Sequence, residues 1–171
     1  MLKKVVHTLA HSMAAMGSAA LRFNFRGAGA GEGTYAGGIG EVDDVEAIAS
    51  SIANRWPDAD LWLAGFSFGA IVAARAALNL LPKQLISIAP AVNLPGRGLD
   101  ARSFTPWLVV QGDADELVPV EDVRAWAASL YPQPDLVVLP GVGHFFHGEL
   151  LTLRETLLRK LQPIVSASEL N

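Results

Sequence analysis

The sequence predicts an α/β protein with a mostly parallel sheet of about five or six strands and helices on both faces. Helical patterns alternate with short apolar runs, and most of these runs are continuously apolar, as in strands that are covered on both faces. The predicted strands are 20–25, 61–66, 84–89, 106–111 and 136–139. The predicted helices are 3–16, 41–56, 68–80, 120–130 and about 147–164.

Length and composition indicate one packed domain spanning residues 1–171. Of the 171 residues, 51% are hydrophobic, which argues against disorder. The formal net charge of −4 argues against a nucleic-acid partner, and the lack of cysteine excludes disulfides and thiolate metal sites. No apolar run reaches the roughly 18 residues of a membrane span. Polar residues interrupt the Ala-rich stretch after Lys3-Lys4, so we expect a cytoplasmic rather than a secreted protein. We expect it to be a monomer or a homodimer.

One apolar run ends in Gly65-Phe66-Ser67-Phe68-Gly69 and passes into an Ala-rich helix-forming stretch. This pattern predicts a strand, a sharp turn and a helix, with a strained serine at the apex. We expect both glycines to be required, because side chains there would collide with the neighbouring strand and helix. The N–H groups at the start of the helix could stabilise negative charge on a reacting oxygen. The alternative is a glycine-rich turn with an ordinary serine.

A serine nucleophile needs a base and an acid that orients the base. His144 follows an apolar strand and two glycines, at the strand end where α/β sheets collect their chemistry. A loop histidine bonded to backbone is the alternative. His147 is predicted to lie in the first turn of the next helix.

Two aspartates that follow the apolar run 107–111 are candidates for the acid. Asp113 is nearer the strand end and could cap the turn through backbone N–H groups. Asp115 lies two residues further out and is better placed to reach His144. Glu116 is expected to be solvated.

Four motifs resemble those of the α/β-hydrolase superfamily, and within it a bacterial group of small, lidless, dienelactone-hydrolase-like proteins. The resemblance spans nearly the whole chain, and the order Ser67, Asp115, His144 is that of α/β-hydrolases. The motifs are Arg22-Phe-Asn-Phe-Arg26-Gly27, Gly65-Phe-Ser-Phe-Gly69, Gln111-Gly-Asp-Ala-Asp-Glu116 and Gly141-Val-Gly-His-Phe-Phe-His147. The resemblance implies Ser67 as nucleophile, Asp115 as acid, His144 as base and the Phe68 backbone N–H as one oxyanion donor. It implies no metal and no organic cofactor.

The resemblance also implies elements that this sequence does not show. Its members have a strand between those at 21–25 and 61–66, and a His-Pro or Gly-Gly loop before the first helix that supplies the second oxyanion N–H. Here the residues from Met1 onward already predict the first helix. We therefore expect an N-terminally shortened sheet, with a gap or a direct pairing of those two strands.

The surroundings of the site give weaker predictions. The glycine-rich stretch 26–40 predicts a flexible loop at the pocket rim rather than a phosphate cradle. Arg26 either binds a substrate carboxylate or forms a structural ion pair. The segment 90–105 is too short for a lid, which favours small, soluble substrates. Five side chains could line the cleft or belong to the core: Phe66, Phe68, Val92, Phe145 and Phe146.

The sequence thus predicts an esterase-like serine hydrolase that acts on small carboxylic esters, lactones or related acyl compounds through an acyl-enzyme. Two alternatives remain open. One is a catalytically impaired scaffold or interaction protein without a complete oxyanion hole. The other is a peptidase or acyltransferase of the same superfamily, because a triad does not identify the acceptor or the leaving group.

Overall fold

The computed structural model describes residues 2–29, 31–94 and 105–168, and within them it contains five helices and four strands. The helices are α1 (Leu2–Ala15), α2 (Gly40–Arg55), α3 (Phe68–Leu80), α4 (Val120–Ser129) and α5 (Leu150–Ser168). The strands are β1 (Trp62–Phe66), β2 (Gln84–Ile88), β3 (Trp107–Gly112) and β4 (Asp135–Leu139). The predicted α/β class is confirmed.

The four strands form one parallel sheet in the order β1-β2-β3-β4. Every residue of β2 and β3 is buried, as expected of strands covered on both faces, including the polar Gln84, Ser87 and Gln111. Since the strands are parallel, their carboxyl ends all meet at one edge of the sheet. The segments that follow β1, β3 and β4 at this edge carry the three predicted catalytic residues, Ser67, Asp115 and His144.

The chain divides into two compact units. The larger, Asn24–His144, contains the sheet, α2, α3, α4 and a continuous hydrophobic core. The smaller contains α1 and α5, which are in contact with each other. The apolar face of α1 is buried at Val5, Leu9 and Met13, and Met16, directly after the helix, is buried as well. The single domain 1–171 stays a prediction, and none of the described helices is long and apolar enough to cross a membrane.

The predicted strand at 20–25 is wrong: the described part of the chain has a four-stranded sheet that does not include this segment. Leu21 and Phe23 are 59% and 40% exposed. Alternation of polar and apolar residues identifies a segment able to form a strand, but a strand also needs a partner for its backbone N–H and C=O groups. The expected direct pairing with 61–66 is not seen, because within the described sheet β1 is hydrogen-bonded only to β2. The expected gap stays a prediction.

Two further boundaries differ from prediction. Helix α5 begins at Leu150, so His147 precedes it in a turn instead of lying in its first turn. The helix also continues to Ser168, beyond the predicted end at 164. The prediction that a frayed tail begins at 166 is therefore wrong. The structure does not describe residues 169–171, the rest of that tail. It also does not describe residues 95–104, most of the segment predicted to be too short for a lid.

Ala36 and Gly38, near the end of the glycine-rich stretch, are held by an acidic residue at the start of α2. Glu41 is fully buried, and its carboxylate accepts the backbone N–H groups of Ala36 at 2.8 Å and Gly38 at 2.7 Å. Burial alone would raise the pKa of Glu41. Hydrogen bonds from Ala36, from its own N–H and from Gly38, with the charge of Arg26, outweigh burial and lower this pKa.

We expect Glu41→Gln to lower the free energy of unfolding by about 1–3 kcal/mol, because an amide cannot accept both N–H groups as a carboxylate does. A carboxyl whose pKa is lowered on folding stabilises the native state at neutral pH. That contribution is lost as the pH falls through the folded-state pKa, so the variant and the wild type should converge in acid. Urea denaturation at several pH values measures the difference. Asp43→Asn, an exposed change of the same charge in the same helical turn, serves as the control. An equal loss in both variants would contradict the prediction.

Candidate active site

Ser67 occupies the turn between β1 and α3, in a backbone conformation that side chains rarely adopt. Its φ is 54° and its ψ is −119°, a strain that costs on the order of 1–3 kcal/mol. Backbone hydrogen bonds maintain this conformation: the Ser67 N–H donates to the Ile88 carbonyl at 2.9 Å, and the Ser67 carbonyl accepts the Ala70 N–H at 3.1 Å. The side chain is half-buried.

The two glycines that flank Ser67 differ in how much room a side chain would have at each position. A β-carbon at Gly65 would overlap the carbonyl group of Gly69, so strand and helix can approach this closely only without a side chain. A β-carbon at Gly69 would meet the Phe25 ring at 3.7 Å, an ordinary van der Waals contact. The steric requirement is therefore confirmed at Gly65, and the expectation of a collision at Gly69 is wrong.

The structure brings Ser67, His144 and Asp115 into one hydrogen-bonded chain. The distance from Ser67 Oγ to His144 Nε2 is 3.0 Å, and that from His144 Nδ1 to Asp115 Oδ2 is 2.8 Å. A carboxylate only accepts hydrogen bonds, so Nδ1 carries the ring proton and Nε2 is left to accept from the serine hydroxyl. His144 and Asp115 are buried, with exposed fractions of 2% and 8%.

The carboxylate of Asp115 is fixed on both oxygens. Oδ1 accepts the backbone N–H groups of Leu117 at 2.9 Å and Val118 at 2.8 Å. Oδ2 accepts His144 Nδ1 and also the Gln111 side-chain amide at 2.9 Å. Gln111 was not predicted as a site residue. A buried amide in the otherwise apolar strand β3 is the signal that could have identified it.

The other two acids of this loop contact backbone instead of the histidine ring. Asp113 accepts the Gly141 N–H at 2.6 Å. It therefore contacts a backbone N–H of the segment that follows β4, and not one of its own turn as its position nearest the strand end predicts. Asp115 contacts the ring of His144. Glu116, expected to be solvated, is exposed but also accepts the backbone N–H of His144 at 3.1 Å.

The candidate substrate-binding residue Arg26 forms an ion pair with Asp44. Its side chain donates to Asp44 through Nε at 3.0 Å and Nη2 at 2.6 Å, and its backbone N–H donates to the same carboxylate at 3.0 Å. The hydrogen bond from Arg26 lowers the pKa of Asp44 and raises that of Arg26. These contacts correspond to the structural alternative, and the prediction that Arg26 binds a substrate carboxylate is not supported by this geometry.

Phe68, the residue after Ser67, contacts two other aromatic side chains. Phe68 is the first residue of α3, so its N–H points from the amino end of the helix, where donors for an anion are found. Its ring contacts Phe25 edge-on at a centroid distance of 5.8 Å and Tyr35 at 5.7 Å. Of the other predicted lining residues, Phe66 and Phe146 are buried. Within the described residues, no three or more His, Asp or Glu side chains are grouped to hold a metal ion.

The family model for serine aminopeptidase, S33 (Hydrolase_4) matches residues 3–104, which include the turn that carries Ser67. The chain belongs to this family. The resemblance to α/β-hydrolases is therefore confirmed at the level of family and fold.

Similar structures agree with this assignment. An alpha-beta serine hydrolase homologue from Coxiella burnetii has a TM-score of 0.89 and 46% identity, over 92% of this chain and 76% of that chain. A serine hydrolase without a lid from Xanthomonas campestris has a TM-score of 0.87 and 44% identity, over 94% of this chain and 73% of that chain. An uncharacterised protein of Rickettsia prowazekii is 31% identical over 156 residues, which are 85% of this chain and 66% of the relative.

Proposed function

We propose that this chain is an esterase-like serine hydrolase that cleaves small, uncharged carboxylic esters, lactones or related acyl compounds. The observation that carries the proposal is the continuous hydrogen-bonded chain from Ser67 through His144 to Asp115. The family and the fold, which this chain shares with α/β serine hydrolases, support the same reading.

In the proposed mechanism, His144 Nε2 takes the hydroxyl proton as Ser67 Oγ attacks the substrate carbonyl. Asp115 stabilises the imidazolium that forms and keeps the ring in the productive tautomer. The protonated His144 then gives its proton to the leaving oxygen, and an acyl-enzyme on Ser67 remains. A water molecule, deprotonated by His144, attacks this ester and releases the acid, which regenerates the serine hydroxyl.

The carbonyl oxygen gains negative charge in this step, and the Phe68 N–H is the proposed donor to it. Phe68 follows the nucleophile directly and begins α3, so the dipole of the helix favours an anion at this position. A backbone donor also costs no reorganisation during the reaction, because the helix fixes its direction.

The contacts of Arg26 favour uncharged substrates. Its guanidinium is engaged by Asp44 through two side-chain hydrogen bonds, which makes it a poor receptor for a substrate carboxylate. The aromatic contacts of Phe68 with Phe25 and Tyr35 instead offer apolar surface next to the nucleophile. Small apolar acyl groups suit such a surface.

A fluorophosphonate probe tests the activated serine directly, because it forms a stable covalent bond only with a nucleophilic hydroxyl. We expect the folded wild-type chain to be labelled at Ser67, as measured by mass spectrometry of the proteolytic peptides. p-Nitrophenyl acetate should also be hydrolysed, and faster than an amino-acid p-nitroanilide. A folded chain that is not labelled would contradict the proposal and favour the impaired scaffold. Labelling with cleavage of the anilide alone would favour the peptidase.

A further inference from the structure

The segment that carries Asp115 and the segment that carries His144 are joined by backbone contacts over several residues. We call residues 112–118 the acid loop and residues 140–144 the histidine loop. The Ala114 N–H donates to the Val142 carbonyl at 3.1 Å, in the middle of the contact. A β-carbon at Gly112 would overlap that same carbonyl, so the two loops touch at van der Waals distance.

Two carboxylates of the acid loop lie on either side of this contact. Asp113 Oδ1 accepts the Gly141 N–H at 2.6 Å, near the start of the histidine loop. Glu116 Oε2 accepts the His144 N–H at 3.1 Å, at its end. Both acids are exposed, so neither contributes to the hydrophobic core. Their partners are the backbone groups of the segment that carries the proposed base.

The histidine loop needs such contacts because of its composition. It contains Gly141, with a φ of 72°, and Gly143, and glycine has the largest backbone freedom of any residue. Nevertheless, the ring of His144 has to keep Nδ1 against Asp115 and Nε2 against Ser67 at the same time. A displacement of about 1 Å at a reacting group can lower a rate by about 100-fold.

We infer that Asp113 and Glu116 are positioning residues, which hold the histidine loop so that His144 meets Ser67 and Asp115 together. The inference rests on the proposed function, since it assigns a role in that reaction. Glu116 has the more direct effect, because it binds the backbone of His144 itself. The hydrogen bond from the His144 N–H also lowers the pKa of Glu116, so Glu116 is an anion near neutral pH.

The test compares Glu116→Ala, which removes the acceptor, with Glu116→Gln, which keeps an oxygen acceptor. Glu121→Ala is the matched control, because Glu121 is an exposed acid on α4 whose ion-pair partner is Arg124. We expect Glu116→Ala to lower kcat for p-nitrophenyl acetate by about 10- to 100-fold with little change in KM. Glu116→Gln should recover most of this loss, and Glu121→Ala should match the wild type.

Backbone hydrogen exchange provides a readout that does not depend on turnover. In Glu116→Ala the His144 amide should exchange at least about tenfold faster than in the wild type, whereas amides of β2 and β3 should not change. Asp113→Ala should accelerate exchange at Gly141 in the same way. If the wild type is active and Glu116→Ala retains both its kcat and the slow exchange at His144, the inference is wrong. A wild type without turnover would instead contradict the proposed function.

Discussion

Replacement of Ser67 by alanine is expected to lower kcat/KM for p-nitrophenyl acetate by about 10⁴-fold or more. The change removes only the hydroxyl oxygen, so the β-carbon and the backbone hydrogen bonds to Ile88 and Ala70 can persist. Without Oγ, His144 has no proton to accept and no acyl-enzyme can form. The residual rate would come from water attack on bound ester. Steady-state kinetics measures the loss, and fluorophosphonate labelling should disappear with it.

The matched control for this change is Ser51→Ala, on the exposed surface of α2. Both variants should keep the circular dichroism spectrum of the wild type and an unfolding midpoint within a few degrees of it. Comparable turnover by wild type and Ser67→Ala, with both chains folded, would show that hydrolysis occurs at another group.

The second large effect is expected for Asp115→Asn, which should lower kcat by about 10⁴-fold. The backbone N–H groups of Leu117 and Val118 determine how the new amide is oriented, because its oxygen must face these two donors. Its NH₂ group then faces His144 Nδ1. An NH₂ group favours a proton-free Nδ1, so the ring proton moves to Nε2, where it prevents acceptance from Ser67.

Asp113→Asn is the informative comparison, because Asp113 was the other candidate for the acid. An asparagine oxygen can still accept the Gly141 N–H, so this variant should lose less than about tenfold in kcat. The chemical shift of the His144 ring nitrogens, measured by NMR, reports the tautomer in each variant. If Asp113→Asn is the more damaging change, Asp115 is not the orienting acid.

The sequence alone predicts that the three residues of the candidate site lie close together, because it predicts a parallel sheet. Ser67, Asp115 and His144 each follow a mostly apolar strand, and parallel strands bring their carboxyl ends to one edge. The choice of Asp115 over Asp113 depended on reach alone, and the hydrogen bond that His144 Nδ1 donates to Asp115 agrees with it.

The remaining features depend on contacts that no single segment encodes. The segment 20–25 has the pattern of a strand, but pairing requires a neighbour, and local pattern contains no information about it. The contact of Glu116 with the His144 backbone depends on how two loops meet, so an exposed acid in a polar loop is read as solvated. Gln111 shows a local signal, a polar residue in an apolar strand, but its partner Asp115 becomes evident only once the acid loop has folded back.

Glu41 has a consequence for protein engineering. It fixes the backbone of Ala36 and Gly38, and the exposed Tyr35 side chain lies next to the first of these. Tyr35, which contacts the Phe68 ring, thus lies in a segment that Glu41 holds, and this segment is separate from the acid loop and the histidine loop. A library that randomises position 35 while it keeps Glu41 would vary the surface next to Phe68 and leave the hydrogen bonds among Ser67, His144 and Asp115 in place.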